Sequence, residues 1–175
     1  NLGNILKDLG KLQEAEVSTR KAIKINPNFA EAHSSLGNIL KDLGKSQEAE
    51  LSYRKAIQIN PDSALAHNNL GCLLKDLGKI EEAELSTRKA IELNPSLADA
   101  HATLGNILKD LGKTDDALLH YEKAINIDKK LDYALAGIGK ILLKLGNHSD
   151  GIRKLREANG SIDFNPKKTS ITLLH

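Results

Sequence analysis

The ten residues LGNILKDLGK at 36–45 return almost unchanged at 2–11, 70–79 and 104–113, so successive copies begin 34 residues apart. A unit of that size cannot bury its own hydrophobic face. It must stack on a neighbour, and a fixed period of this length with helical patterning specifies a solenoid of helix-turn-helix units. The patterning is explicit in the second unit, where Ala32, Leu36, Ile39, Leu40 and Leu43 follow the i, i+4, i+7, i+8 spacing of a buried helical stripe. In the unit before it, Ala15, Thr19, Ala22 and Ile23 form one face of a second helix.

In chain order, residues 1–9 read as the remnant of a first helix and 12–25 as its partner, closed by Asn26-Pro27, because a helix seldom runs through the residue before proline. The next unit places helices over 30–43 and 47–59, with Gly44 as the stop between them. So short a turn forces the two helices antiparallel. Asn60-Pro61 and Asn94-Pro95 repeat the exit turn, giving units near 1–27, 28–61, 62–95 and 96–129, and a degenerate one at 130–159 in which Lys129 has replaced the exit proline and Gly151 an alanine. Residues 160–175 break the pattern. Ile162 and Phe164 alternate, Pro166 follows, and the β-branched run after it suits an extended segment, either a cap folded back on the array or, the better fit, the start of a further domain.

Small residues keep the same period. Gly3, Gly37, Gly71, Gly105 and Gly139 fall inside first helices, opposite Ala15, Ala49, Ala83 and Ala117 in second helices. Glycine within a helix costs about 1 kcal/mol relative to alanine, so its return requires a close helix crossing. A second series, Ala22, Ala56, Ala90, Ala124 and Ala158, is placed at the junction with the following unit.

These residues carry a resemblance. The Leu-Gly pair, a small residue twelve positions after the glycine, alanine seven further on and proline five beyond that resemble the tetratricopeptide repeat, and AEAHSSLGNILKDLG and AHNNLGCLLKDLG are similar to repeats of O-linked N-acetylglucosamine transferase and related bacterial arrays. The resemblance spans about residues 1–158. His33, His67 and His101 stand where the family often has tryptophan, and Thr19, Thr87 and Leu155 where it has a later aromatic, which only Tyr53 and Tyr121 retain. It implies an all-α, right-handed superhelical solenoid of antiparallel helix pairs, whose first helices line a concave groove that holds a protein or peptide in extended conformation.

Composition narrows the partner. A net charge of +2, from 25 basic and 23 acidic residues, with 3% aromatics, gives no basis for nucleic-acid binding. No apolar run approaches the ~18 residues of a membrane span. One cysteine, Cys72, rules out an internal disulfide and suits a reducing compartment, so the cytoplasm is the expected setting. The chain starts inside a unit and lacks methionine, which marks it as an excised fragment and leaves a signal peptide open. His33, His67 and His101 lie a full unit apart, and helices pack ~8–10 Å apart, too far for one zinc ion. His120 and His148 have no recurring acidic or cysteine partner, Cys72 reads as a neutral replacement for asparagine, and no glycine-rich phosphate loop is present. No metal, cofactor or catalytic residue is expected.

On the groove face the resemblance places Asn4 with Asp8, Asn38 with Asp42, Cys72 with Asp76 and Asn106 with Asp110, each pair at i, i+4 on one side of a helix, flanked by Lys7, Lys41, Lys75 and Lys109. Ser35, Asn69 and Thr103 occupy the position of the transferase's backbone-holding asparagine ladder, and only Asn69 matches it. The candidate partner-binding set is therefore Asn4, Asp8, Asn38, Lys41, Asp42, Asn69, Asp76, Thr103, Asn106 and Asp110. The register Ser34, Asn38, Asn69, Asp99 and Thr103 lacks the basic half of the clamp that co-chaperone members use for C-terminal carboxylates. A groove rich in Asn and Asp favours a neutral or mildly basic extended segment. The expectation is a protein-interaction scaffold without catalysis. A recruiting arm of a larger transferase, whose catalytic domain would begin near Ser161, is the alternative, ahead of an amplified scaffold with no selected ligand. Ile5, Leu6 and Leu9 at the cut end offer a route to self-association.

Overall fold

A computed structural model describes residues 11–159, 162–165 and 170–173. The expected helix at 1–9, with Asn4, Asp8 and the apolar residues assigned to self-association, lies outside the described residues. Nine α-helices occur among those described: α1 (Leu12–Ile25), α2 (Ala30–Asp42), α3 (Ser46–Ile59), α4 (Ala64–Asp76), α5 (Ile80–Leu93), α6 (Ala98–Asp110), α7 (Thr114–Ile127), α8 (Asp132–Lys144) and α9 (His148–Asn159). The chain divides into two compact units, 1–95 and 96–175. In the first, α2 pairs with α3 and α4 with α5, α1 packs on α2, α3 on α4, and α2 lies beside α4. In the second, α6 pairs with α7 and α8 with α9, while α8 touches both α6 and α7. The fold is all-α, with paired helix-turn-helix repeats.

One device ends the first helix of each of the four described repeats. Gly44, Gly78, Gly112 and Gly146 adopt φ of 74, 75, 76 and 82°. At the first of them the Lys45 N–H donates to the Leu40 carbonyl at 2.8 Å and the Gly44 N–H to that of Lys41 at 2.9 Å, the two bonds of a Schellman ending. Leu43 is thereby the cap of α2 rather than its last residue, and α3 starts one residue earlier than the pattern suggests. Exit turns use a different device. The Asn26 and Asn60 side-chain oxygens accept from the N–H two residues on, each at 3.2 Å. Asp128 does the same toward Lys130 at 2.9 Å, so α7 still ends at Ile127 although the proline is gone.

The core shows what the helical glycines accommodate. A Cβ on Gly37 would stand 2.5 Å from the Tyr53 ring, and one on Gly105 2.8 Å from that of Tyr121. Gly71 faces Thr87 in the same way, and Gly139 faces Leu155 at 2.8 Å. The glycine therefore receives the side chain sixteen residues on, while the second-helix backbone also approaches, with the Ala83 carbonyl 3.2 Å from a Cβ at Gly71. Ala15, Ala49, Ala83 and Ala117 are wholly buried, and Ala56, Ala90, Ala124 and Ala158 are buried too. Of the expected α1 face, Ala15 and Thr19 are buried, whereas Ala22 and Ile23 are half-buried.

Ion pairs tie adjacent repeats in the first unit. Glu16 bonds Arg20 at 2.9 Å and Lys45 of the next repeat at 2.8 Å, while Arg20 reaches Glu48 at 2.7 Å. Glu50, Arg54, Lys79 and Glu82 repeat the arrangement one period later. The hydrogen bond from the lysine, outweighing partial burial and supported by the arginine, holds both the Glu16 and Glu50 carboxyls below their ordinary pKa.

Beyond α9 the chain forms an antiparallel hairpin, β1 (Ile162–Asn165) with β2 (Ser170–Leu173), pairing Ile162 with Leu173 and Asn165 with Ser170. No helix among the described residues is long and apolar enough to cross a membrane.

Candidate functional site

The first unit brings four of the sequence-selected residues together where α2 lies beside α4. The Asn38 side-chain oxygen accepts from the Tyr53 hydroxyl at 2.6 Å and from the Asn69 amide at 3.3 Å. With both bonds on its oxygen, Asn38 leaves its NH₂ donors outside this network, and Asn69 leaves its oxygen outside it. Burial, reinforced by the field of Cys72 and Asp42, pushes the Tyr53 hydroxyl well above the usual tyrosine range, so it remains a donor.

A turn further along, Lys41 lies 3.4 Å from Asp76 and 3.4 Å from the Cys72 sulfur, and Lys75 meets Asp76 at 3.1 Å. Burial works against the Lys41 ammonium, but Cys72 and Asp76 together outweigh it and raise its pKa above the ordinary lysine value. The Asp76 charge is thus answered within the face, which lessens the acidic bias expected of an Asn- and Asp-rich surface. Asp42 is exposed.

The second unit repeats only part of this arrangement. Tyr121 donates to Asn106 at 2.8 Å, and Asp110 is exposed beside Lys109 at 3.6 Å. Thr103 is only 8% exposed. One period beyond it stands Gly137, where a Cβ would meet the Tyr121 ring at 2.5 Å, so no side chain is available there to extend an amide row.

A depression of about 350 Å³ adjoins the Asn38–Asn69 pair, lined by Glu31, Ser34, Ser35, Asn60, Leu65 and their neighbours. The sequence reading did not select Glu31 or Leu65. They fall at one repeat position, but there the carboxylates Glu31 and Asp99 alternate with Leu65 and Tyr133, so no constant residue type draws attention to it. A larger depression of about 540 Å³ between α3, α4 and α5, with Ile57, Leu70, Leu74 and Leu85 in its wall, contains none of the selected residues.

Four of the histidines make contacts within the fold. His33 and His67 place Nε2 at 2.9 and 3.0 Å from the Pro27 and Pro61 carbonyls, fastening the start of α2 and α4 to the preceding exit turn. His101 stacks on His120 with their Nδ1 atoms 3.1 Å apart. No cluster of three or more potential metal ligands occurs among the described residues.

Family models described as "TPR repeat" match residues 3–44, 37–78 and 105–146, and models described as "Tetratricopeptide repeat" match 64–97 and 87–118. Comparison with curated proteins finds no match. Among solved structures, a crystal structure of MamA is 27% identical with a TM-score of 0.74, over 90% of this chain and 92% of MamA. PilW, described as a widely conserved type IV pilus biogenesis factor, superposes with a TM-score of 0.85 at 21% identity, over 93% and 76% of the two chains. YrrB, described as having an unusual peptide-binding site, gives 0.67 at 23%, over 89% and 80%. At these identities PilW and YrrB attest the fold.

Proposed function

Since the chain belongs to the tetratricopeptide-repeat family, we propose that it is a protein-interaction scaffold without catalysis of its own, and that the α2–α4 face holds an extended protein segment by its backbone. The observation that carries this reading is the Tyr53–Asn38–Asn69 chain of hydrogen bonds. It leaves a donor group on one helix and an acceptor on the next, and an extended backbone offers the complementary acceptor and donor at each peptide. Such contacts are largely indifferent to ligand sequence. The likeness of the repeats to those of O-linked N-acetylglucosamine transferase supports the same chemistry, whether the array stands alone or recruits substrate for an attached transferase. Asn106, pinned by Tyr121, supplies the equivalent group in the second unit.

The test is a peptide-array screen of 1–175 against the triple variant Asn38→Ala, Asn69→Ala and Asn106→Ala. Each lost amide contact is worth ~0.5–1.5 kcal/mol, so affinity should fall about tenfold or more across unrelated peptides. Unchanged binding by a folded triple variant would refute the assignment.

A further inference from the structure

We infer that the depression between α2 and α4 is the seat of one basic side chain, lysine or arginine, carried by the extended segment. The inference rests on the backbone-holding role proposed for Asn38 and Asn69, and assigns the adjoining space a ligand chemistry. One wall is apolar, formed by Ala56 and by Leu65, which is 59% exposed. The other presents Ser34, Ser35 and Asn60, with the Glu31 carboxylate exposed. Lysine and arginine combine an alkyl stem with a charged donor head, and that combination matches the two walls.

Charge decides among the alternatives. No lysine or arginine lines the depression, and no cation among the described residues lies within ion-pair distance of Glu31. Glu16, Glu50 and Asp76 in the same unit, by contrast, each already have two basic partners. An acidic side chain would meet Glu31 with nothing to neutralise it. A large apolar one would cover hydroxyl and amide groups without bonding them, which costs desolvation. A basic head answers Glu31 and donates to the oxygens around it.

The probes are pooled, end-capped nonapeptides with a fixed central residue, Arg, Lys, Gln, Ile or Glu, and mixed flanks, titrated into the whole chain by fluorescence anisotropy. Arg and Lys pools should bind about two- to fivefold more tightly than Gln, the range of an exposed ion pair, with Glu weakest and Ile no better than Gln. Glu31→Gln should abolish the Arg-over-Gln preference, and raising salt should shrink it in the unaltered protein. Asn69→Ala should weaken every pool by a similar factor. Equal binding of all pools that is still lost in Asn69→Ala would overturn the basic seat and leave backbone holding intact. An Arg preference that survives Glu31→Gln would also overturn it. Failure of every pool to bind would overturn backbone holding and the seat together.

Discussion

Gly37→Ala and Gly44→Ala are the same substitution seven residues apart, with opposite physical causes. At Gly37 the backbone is ordinary helix, and a Cβ would lie 2.5, 2.7 and 2.9 Å from three carbons of the Tyr53 ring. Carbon pairs prefer ~3.5–4.0 Å, so the ring must retreat by about 1 Å. Tyr53 is 1% exposed and held at its far end by the Asn38 bond, which leaves it little room. Overpacking of this kind costs ~1–3 kcal/mol, here toward the upper end, and alanine returns ~1 kcal/mol of helix propensity, for a net loss of ~2 kcal/mol. In a Tyr53→Ala background the ring is gone. The same Gly37→Ala change should then stabilise by up to ~1 kcal/mol, because only the propensity gain is left. Urea unfolding followed by helical circular dichroism on the four proteins of this cycle gives the coupling directly. A Gly37→Ala cost that is equal in both backgrounds would show that the ring is not what excludes the methyl group.

Gly44→Ala has no such rescue, since nothing lies within 4 Å of its Cβ while φ is +74°; a loss of ~1–2 kcal/mol, smaller for Gly44→Asn, should appear in the same urea assay whatever the neighbours. Thr87 is fully buried with a hydroxyl that finds no partner, so Thr87→Val should raise stability by ~1 kcal/mol; a loss would mean the hydroxyl is bonded after all. The Glu16 and Glu50 carboxyls have folded pKa values below the ordinary 4.5, so their contribution is complete above that value and is lost as pH falls through the lower, folded one. Unfolding midpoints measured from pH 7 to pH 3 should fall less steeply in Glu16→Gln/Glu50→Gln, by ~1 kcal/mol for the two clusters together; parallel curves would refute the assignment.

The fold was legible because its determinants are local and repeated. Gly44 and its successors mark the ends of first helices, and Asn-Pro marks the exits; both work within a few residues, where sequence spacing and spatial proximity coincide. The ionic ties between repeats were not legible. Glu16 and Lys45 are 29 residues apart, and each also makes sense as a solvated surface charge. The Asn38–Asn69 contact was half-visible, since both residues were selected, but the hydroxyl that orients Asn38 comes from Tyr53, noted only as a surviving aromatic. Glu31 escaped because Leu65 and Tyr133 interrupt the carboxylates at its repeat position, leaving only Asp99 to match it. Periodicity exposes what every repeat needs for packing and hides what one repeat does alone.

Tyr53 connects the two kinds of information. Its ring fills the notch above Gly37, a packing role shared with Thr87, Tyr121 and Leu155 at the same repeat position, but only a tyrosine also carries a hydroxyl far enough out to reach an asparagine of the preceding helix. Where tyrosine stands, an asparagine waits to accept from it: Asn38 with Tyr53, Asn106 with Tyr121. Where the residue is Thr87, whose hydroxyl is buried without a partner, the corresponding face position is Cys72, and where it is Leu155 that position is Lys140. In the repeats of Tyr53 and Tyr121, a side chain in the core thus fixes the orientation of the amide in front of it. Units that look interchangeable by period therefore differ in whether they hold an amide in place. On the reading proposed above, Asn38 and Asn106 are the amides whose own cores pin them for backbone holding.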